Sequence, residues 1–131
     1  MAGLVVVATD LLIDYLRGRG PGAVLVRDLI SAGMLRLTAV TGFELRVGTD
    51  FLDRREEILR LFRMRTLPVS LPAALRAGEV AAQLRVRGEP IGFADCLQAG
   101  VCLHHDLPLA TRNQRHFGRI DGLQLLAPPA R

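Results

Sequence analysis

Short apolar runs that lead directly into amphipathic stretches recur along this chain. The first run, Leu4–Val7, contains three consecutive valines and passes through Ala8 and Thr9 into an amphipathic stretch that ends near Arg17. A β-branched run that feeds a helix in this way is typical of a buried strand in a parallel sheet. Because strands and helices alternate along the chain, we predict an α/β fold with a mainly parallel sheet of four or five strands, flanked by helices.

The same pattern gives the approximate bounds of each element. The predicted strands are Leu4–Val7, Leu35–Thr38, Leu67–Val69, Leu107–Ala110 and a marginal fifth strand, Leu123–Leu126. Five predicted helices begin after a cap at Thr9 or Asp10, at Ala23, at Phe51, at Ala73 and at Gly92, and they end near Arg17, Ala32, Met64, Arg87 and Leu103. A further helix, capped by Thr41, contains Phe43, Glu44 and Leu45.

Composition narrows the class of protein. A length of 131 residues predicts a single domain over residues 1–131, and 50% apolar with only 5% aromatic residues indicates a core of Leu, Val and Ala. The 17 basic residues, all arginine, exceed the 13 acidic ones and give a net charge of +4. Arginine binds phosphates well, so this excess permits nucleic-acid binding without requiring it.

The cysteines and the length of the apolar runs predict where in the cell the protein is located. Cys96 and Cys102 are six residues apart in one predicted helix, on different faces, so we expect neither a disulfide nor a redox pair. The stretch Cys102–His105 does not predict zinc, because no second ligand pair stands at a usable distance. No apolar run reaches the ~20 residues of a membrane span, and no signal peptide is evident, so we expect a cytoplasmic protein that does not contact the membrane.

Candidate chemistry lies at the ends of the predicted strands. Glu44 falls one helical turn past the second strand, Asp95 in the first turn of a later helix, and Asn113 just after the fourth strand. In a parallel sheet these side chains would gather near position 8. Clustered carboxylates repel unless a divalent cation neutralises them, and hard oxygen ligands suit Mg²⁺ or Mn²⁺. Such a site can activate water for phosphodiester hydrolysis.

Each of these residues also has a purely structural explanation. Glu44 could be a solvated helix residue, Asp95 a favourable partner of the helix dipole, and Asn113 a helix cap. Asp10 and Asp14 are interpreted as a cap and a surface residue. The sequence pattern alone leaves both interpretations open.

Four stretches in order carry a resemblance to a known family: Val7–Gly18, Thr38–Leu45, Arg87–Asp95 and Leu109–Phe117. With them the chain resembles the PIN-domain ribonucleases, in particular the VapC-like toxins of toxin–antitoxin pairs. The resemblance implies a PIN-like three-layer α/β/α fold. It places Glu44 and Asp95 on the second and third metal-site acids, Asn113 where members carry Asp or Asn, and Thr111 on the small hydroxyl residue before it.

The resemblance also implies an activity and partners. It predicts an endoribonuclease dependent on Mg²⁺ or Mn²⁺, with Glu44, Asp95, Asn113 and Thr111 as catalytic residues. Thr9 and Arg112 would contact nucleic acid. The expected partners are an RNA substrate, a second copy of the chain, and a small cognate antitoxin whose C-terminal segment wraps the helices between Phe43 and Met64.

The chain departs from the family at its first acid. Position 8, where similar sequences carry Asp, is alanine, although Thr9, Asp10 and the residues beyond them match the family. Either the chain is a natural inactive member or an Asp was replaced, and the intact neighbours favour replacement. Asp10 is predicted to point elsewhere, so we expect weak or absent metal binding and little activity.

Two other functions remain as alternatives. The first is a catalytically degenerate PIN domain that binds RNA or protein without cutting. The second is a flavodoxin-like or response-regulator-like domain, which is disfavoured because Glu44, Asp95 and Asn113 do not form a paired phosphate-acceptor arrangement.

Overall fold

The computed structural model describes residues 3–129 and contains a five-stranded sheet. The strands are β1 (Val5–Val7), β2 (Leu35–Thr38), β3 (Thr66–Leu67), β4 (Leu109–Ala110) and β5 (Leu125–Leu126). Their order is β3-β2-β1-β4-β5, and each neighbouring pair is parallel. The chain therefore builds outward from β1 in one direction and then crosses to its other side, which creates a crevice at the carboxyl ends of β1 and β4.

Helices connect the strands. They are α1 (Thr9–Arg17), α2 (Pro21–Ser31), α3 (Ala39–Val47), α4 (Arg55–Phe62), α5 (Leu71–Val86), α6 (Phe93–His105) and α7 (Gln114–Phe117), with a 3-10 helix at Leu52–Arg54. Within residues 3–129, no helix is long and apolar enough to cross a bilayer.

Two hydrophobic clusters lie on opposite faces of the sheet. Val5 and Val7 point into a cluster with residues of α1, α2 and α4. Val6, which alternates with them, points into a second cluster with residues of α5 and α6. A strand buried on both faces explains the unbroken valine run, and the predicted three-layer arrangement with a parallel sheet is confirmed.

Helices α5 and α6 pack closely because a glycine stands between them. A Cβ atom at Gly100 would lie 2.5 Å from the carbonyl oxygen of Ala73 and 2.6 Å from the Cβ atom of Ala77. Both neighbours belong to α5, so the helix α6 can only approach this closely with glycine at that position. Cys96 and Cys102, also on α6, are free and buried, and burial raises the pKa of the Cys102 thiol to about 12.

Two predicted helix boundaries are wrong. The helix expected over Phe51–Met64 is a 3-10 helix followed by α4, because the backbone at Arg54 departs from helical geometry (φ −127°, ψ 25°). It ends at Phe62, and Met64 adopts a left-handed conformation with φ 64°. The cap of α3 is Thr38, whose hydroxyl accepts a hydrogen bond from the Thr41 backbone N–H, so Thr41 lies inside the helix.

The apolar side chains of the α4 region are only partly buried. Ile58 and Leu61 are buried, whereas Leu52 is 68% exposed and Leu59 is 46% exposed. These two leucines add apolar surface to this side of the molecule.

Candidate active site

A cavity of about 170 Å³ opens at the carboxyl ends of β1, β2 and β4. Its lining combines residues from the four helices α1, α3, α6 and α7 and from the loops beside them: Ala8, Thr9, Asp10, Glu44, Asp95, Gln98, Thr111, Asn113 and Phe117. The cavity therefore contains Ala8, Glu44, Asp95, Thr111 and Asn113, which the sequence had suggested would meet.

Glu44 and Asp95 reach the cavity from two neighbouring helices. Glu44 lies in the second turn of α3, and Asp95 lies in the first turn of α6. The pKa of Asp95 is raised, first by burial and then by the negative charge of Glu44. The charge of Asp10 raises this pKa further, while His116 opposes the shift. The two negative charges therefore repel each other, and a cation bound in the cavity would relieve this repulsion.

The prediction that Asp10 points elsewhere is wrong. Asp10 lies in the first turn of α1, and its side chain lines the cavity. Its carboxylate accepts a hydrogen bond from the backbone N–H of Arg112 (2.9 Å) and lies 3.4 Å from the hydroxyl of Thr111. Asp10 does not cap α1, because the cap position belongs to Ala8, which offers no side-chain acceptor. Asp10 instead holds the loop after β4 against the start of α1.

Thr111 and Asn113 occupy that loop. Thr111 is buried, and its hydroxyl accepts a hydrogen bond from the backbone N–H of Asn113 (3.0 Å). The side chain of Asn113 caps α7 by accepting from the backbone N–H of His116 (3.4 Å). Asn113 is thus a helix cap and also part of the cavity lining, so both interpretations drawn from the sequence apply to it.

Arg112 and Asp14 form an ion pair beside the cavity. The guanidinium of Arg112 contacts the carboxylates of both Asp14 and Asp10. Asp14 also accepts a hydrogen bond from the backbone N–H of Gly22 (3.0 Å), near the start of α2. With a side chain only 13% exposed, Asp14 is not the surface residue that the sequence suggested. The role of Arg112 in nucleic-acid binding stays a prediction, and it would require sharing the guanidinium with these carboxylates.

A buried polar network lies behind Glu44, and sequence reasoning missed it. The hydroxyl of Thr9 donates to the Glu44 carboxylate and lies 3.0 Å from the hydroxyl of Thr41. Gln98 bonds to Thr41 and to Thr38 from the opposite helix. The signal was present as spacing, because the cap residue Thr38 and the α3 residues Thr41 and Glu44 follow one another at intervals of three.

The donor set is of the kind that Mg²⁺ or Mn²⁺ binds. Carboxylate, amide and hydroxyl oxygens face the cavity, which suits hard cations. Within the described part of the chain, however, no three His, Cys, Asp or Glu side chains stand close enough together to hold a metal ion. The methyl group of Ala8 occupies the position at the end of the central strand where a further carboxylate could complete the set.

Comparison with known proteins identifies the family of this chain. The family model for the PIN domain matches residues 5–123. Ribonuclease VapC10 of Mycobacterium tuberculosis is 35% identical over 125 residues, which cover 92% of this chain and 91% of the relative.

Solved structures share the fold. FitAcB from Neisseria gonorrhoeae matches with a TM-score of 0.79 and 26% identity, covering 94% of this chain and 96% of the other. VapBC-5 from Mycobacterium tuberculosis, a member of the VapBC family of toxin–antitoxin systems, matches with a TM-score of 0.57 and 28% identity, covering 72% and 80%. The chain belongs to the PIN domain family, among the VapC ribonucleases.

Proposed function

We propose that this chain is the toxin of a toxin–antitoxin pair and that its site is built to cleave RNA by metal-assisted phosphodiester hydrolysis. The observation that carries the proposal is the convergence of Glu44, Asp95 and Asn113 on one cavity at the carboxyl ends of three parallel strands. Relatives that cover nearly the whole chain are ribonucleases, which supports the reaction class.

Each residue has a role in this proposal. Glu44 and Asp95 would hold Mg²⁺ or Mn²⁺, which when bound activates a water molecule and stabilises the leaving oxygen. Asn113 offers an amide oxygen to the same cavity, and Thr111 fixes the loop that carries it. The exposed guanidinium edge of Arg112 is proposed to meet a phosphate of the RNA, and Thr9 is proposed to lie next to the same strand.

We further propose that Ala8 leaves this chain with weak metal binding and little activity. Ala8 is only 6% exposed and lines the cavity with a methyl group, so it supplies no ligand. Losing one direct ligand removes several kcal/mol of transition-state stabilisation, which is about a hundredfold or more in rate.

Cleavage of total RNA tests this proposal. The Ala8→Asp variant should cut RNA with Mg²⁺ or Mn²⁺, stop when EDTA is added, and arrest growth when it is expressed alone. Adding Asp95→Asn to that variant should abolish the regained activity, because the remaining acids could no longer hold the ion. If the Ala8→Asp protein stays inert with either metal, the proposal is wrong.

One observation favours a second candidate function. Because no three acidic, histidine or cysteine side chains cluster within residues 3–129, the chain as it stands suits a PIN domain that holds RNA or a protein without cutting. The codon at position 8 and the neighbouring gene discriminate between the two. An Asp codon in the natural gene beside a small antitoxin-like gene supports the toxin, whereas an Ala codon without such a neighbour supports the binding module.

The antitoxin is proposed to dock on the apolar surface beside α3. A cavity of about 570 Å³ there is lined by Val40, Phe43, Phe93 and other apolar residues. Phe43 is 67% exposed and Phe93 is 87% exposed, which is unusual for side chains of this size. The structural neighbour VapBC-5 belongs to a toxin–antitoxin family, which supports an antitoxin as the occupant.

Co-purification with the product of the neighbouring gene at micromolar concentration tests this surface. Phe43→Ser should weaken the complex, while a substitution at Arg76, an exposed residue of α5 that does not line this cavity, should not. Retention of full affinity in Phe43→Ser would contradict the proposed surface. Loss of self-association in Phe43→Ser without the antitoxin would instead identify a second copy as the occupant.

The remaining proposals concern the state of the chain in the cell. We propose a single domain over residues 1–131, a homodimer and a cytoplasmic location. Sedimentation equilibrium should give the mass of two chains.

A further inference from the structure

Three polar side chains are buried between α3 and α6. Thr38 and Thr41 are 0% exposed and Gln98 is 3% exposed. Burying polar groups costs free energy unless each one finds a hydrogen-bond partner. In the described part of the chain no buried side-chain polar atom lacks a partner, so this network is fully satisfied.

The spacing of the residues explains how the network forms. Thr38, Thr41 and Glu44 lie at intervals of three along α3 and its cap, so they share one face. Asp95 and Gln98 lie three apart on α6 and share the face that meets α3. Each helix therefore presents an acid at the cavity and an uncharged polar side chain one turn deeper.

The hydrogen bonds in this network can run in only one direction. The Glu44 carboxylate only accepts, so the single hydroxyl hydrogen of Thr9 must point to it. The 3.0 Å contact between the hydroxyls of Thr9 and Thr41 then needs the hydrogen of Thr41. Thr41 has no hydrogen left for Gln98 and must accept from it.

This requirement also fixes the amide of Gln98. Its Nε2 donates to the hydroxyl of Thr41 at 3.2 Å, and its Oε1 accepts from the hydroxyl of Thr38. The opposite amide orientation would leave the contact between Thr9 and Thr41 without a hydrogen. All four hydrogen bonds therefore point toward Glu44, and a chain aligned in this way polarises its members in the same sense.

We propose that Gln98 is a positioning residue for Glu44, acting through Thr41 and Thr9. This inference rests on the proposed function, in which Glu44 is a metal-site acid. Gln98 donates to Thr41, which leaves the Thr41 hydrogen for Thr9 and the Thr9 hydrogen for the Glu44 carboxylate. The aligned chain thereby holds that carboxylate toward the cavity. Partners that orient a ligand in this way raise metal affinity without touching the metal.

The first test uses the metal-free protein. We would measure the order of the Glu44 side chain by ¹³C NMR relaxation in the parent chain and in three variants. Thr41→Val keeps the shape but removes the hydroxyl, Thr41→Ser keeps the hydroxyl, and Gln98→Met removes the amide at similar length. We expect the Glu44 order parameter to fall below about 0.6 in Thr41→Val and Gln98→Met and to stay near the parent value in Thr41→Ser. An unchanged order parameter in Thr41→Val, with the fold verified by circular dichroism, overturns the proposal.

The second test measures Mn²⁺ affinity with the same substitutions in the Ala8→Asp background. Losing the chain should weaken Mn²⁺ binding about 10- to 100-fold, and Thr41→Ser should restore it. Equal Mn²⁺ affinity in Thr41→Val and Thr41→Ser counts against the positioning role. If the Ala8→Asp parent itself neither binds Mn²⁺ nor cuts RNA, the proposed function fails, and the metal-free NMR comparison still decides whether Gln98 positions Glu44.

Discussion

Replacing Ala8 with Asp should lower the free energy of unfolding of the metal-free protein, and bound metal should raise it again. Ala8 is only 6% exposed and lines the same cavity as Glu44 and Asp95. A further carboxylate there would be desolvated and repelled by the three that already line the cavity, Asp10, Glu44 and Asp95. Burial and the charges of Glu44 and Asp10 already raise the pKa of Asp95, so the cavity disfavours added negative charge.

The expected size follows from these two effects. A polar group buried without a compensating partner costs about 1–3 kcal/mol, so a loss of about 2 kcal/mol in the metal-free protein is expected. For a chain of this length that corresponds to a fall in Tm of about 5–10 °C. Metal at a hundred times its Kd should then return about 2.7 kcal/mol.

Thermal unfolding in EDTA measures the loss of stability without metal, and thermal unfolding with increasing Mg²⁺ measures the gain on metal binding. Ala8→Asn is the matched control, because it adds a side chain of nearly the same size without charge and should show little response to Mg²⁺. Equal Mg²⁺ responses in the Asp and Asn variants, or no loss of Tm for Ala8→Asp in EDTA, would refute the reasoning that position 8 faces the metal site.

Four further substitutions form two matched pairs. Asp95→Asn should raise the free energy of unfolding at neutral pH, because the pKa of Asp95 is raised in the folded protein and its charge therefore opposes folding. This penalty should disappear as the pH falls below the unfolded pKa of 3.8. Asp14→Ala should lower the free energy of unfolding by about 1–2 kcal/mol, because it removes the acceptor at the start of α2, so urea titrations of the two variants should shift in opposite directions. Gly100→Ala should destabilise by more than about 1 kcal/mol, because its Cβ would meet the backbone of Ala73. Gly78→Ala, on the open side of α5, should stabilise by about 0.5–1 kcal/mol, and a lower Tm for this variant would contradict the assignment of an open site.

Much of the fold could be predicted from the sequence because local and tertiary preferences agree. The valine run of β1 is buried on both faces, and a run of consecutive β-branched residues predicts this burial. The end of α4 could not be predicted, because Met64 adopts the left-handed conformation that sequence reasoning assigns to glycine. The exposure of Leu59 could not be predicted either, since helical periodicity does not reveal which apolar positions the rest of the chain leaves uncovered.

The two acids Glu44 and Asp95 of the candidate site could be predicted from the sequence, whereas the residues that hydrogen-bond around them could not. Glu44 and Asp95 follow strand ends, and parallel topology brings such positions together. The orientation of Asp10 depends on a loop 101 residues away, which no local pattern encodes. Gln98 lies in a helix that reads as apolar core, so its hydrogen bonds became visible only when α6 was placed against α3.

The bond between Asp10 and the loop after β4 has a consequence for synthesis. The partners Asp10 and Arg112 are 102 residues apart, and β1 pairs with its neighbour β4 with Val6 and Val7 beside Leu109 and Ala110. A growing chain that stops before Leu109 contains Glu44 and Asp95 but has neither the strand nor the loop that closes the cavity. The cavity can therefore take shape only after the ribosome has made β4 and the loop that follows it.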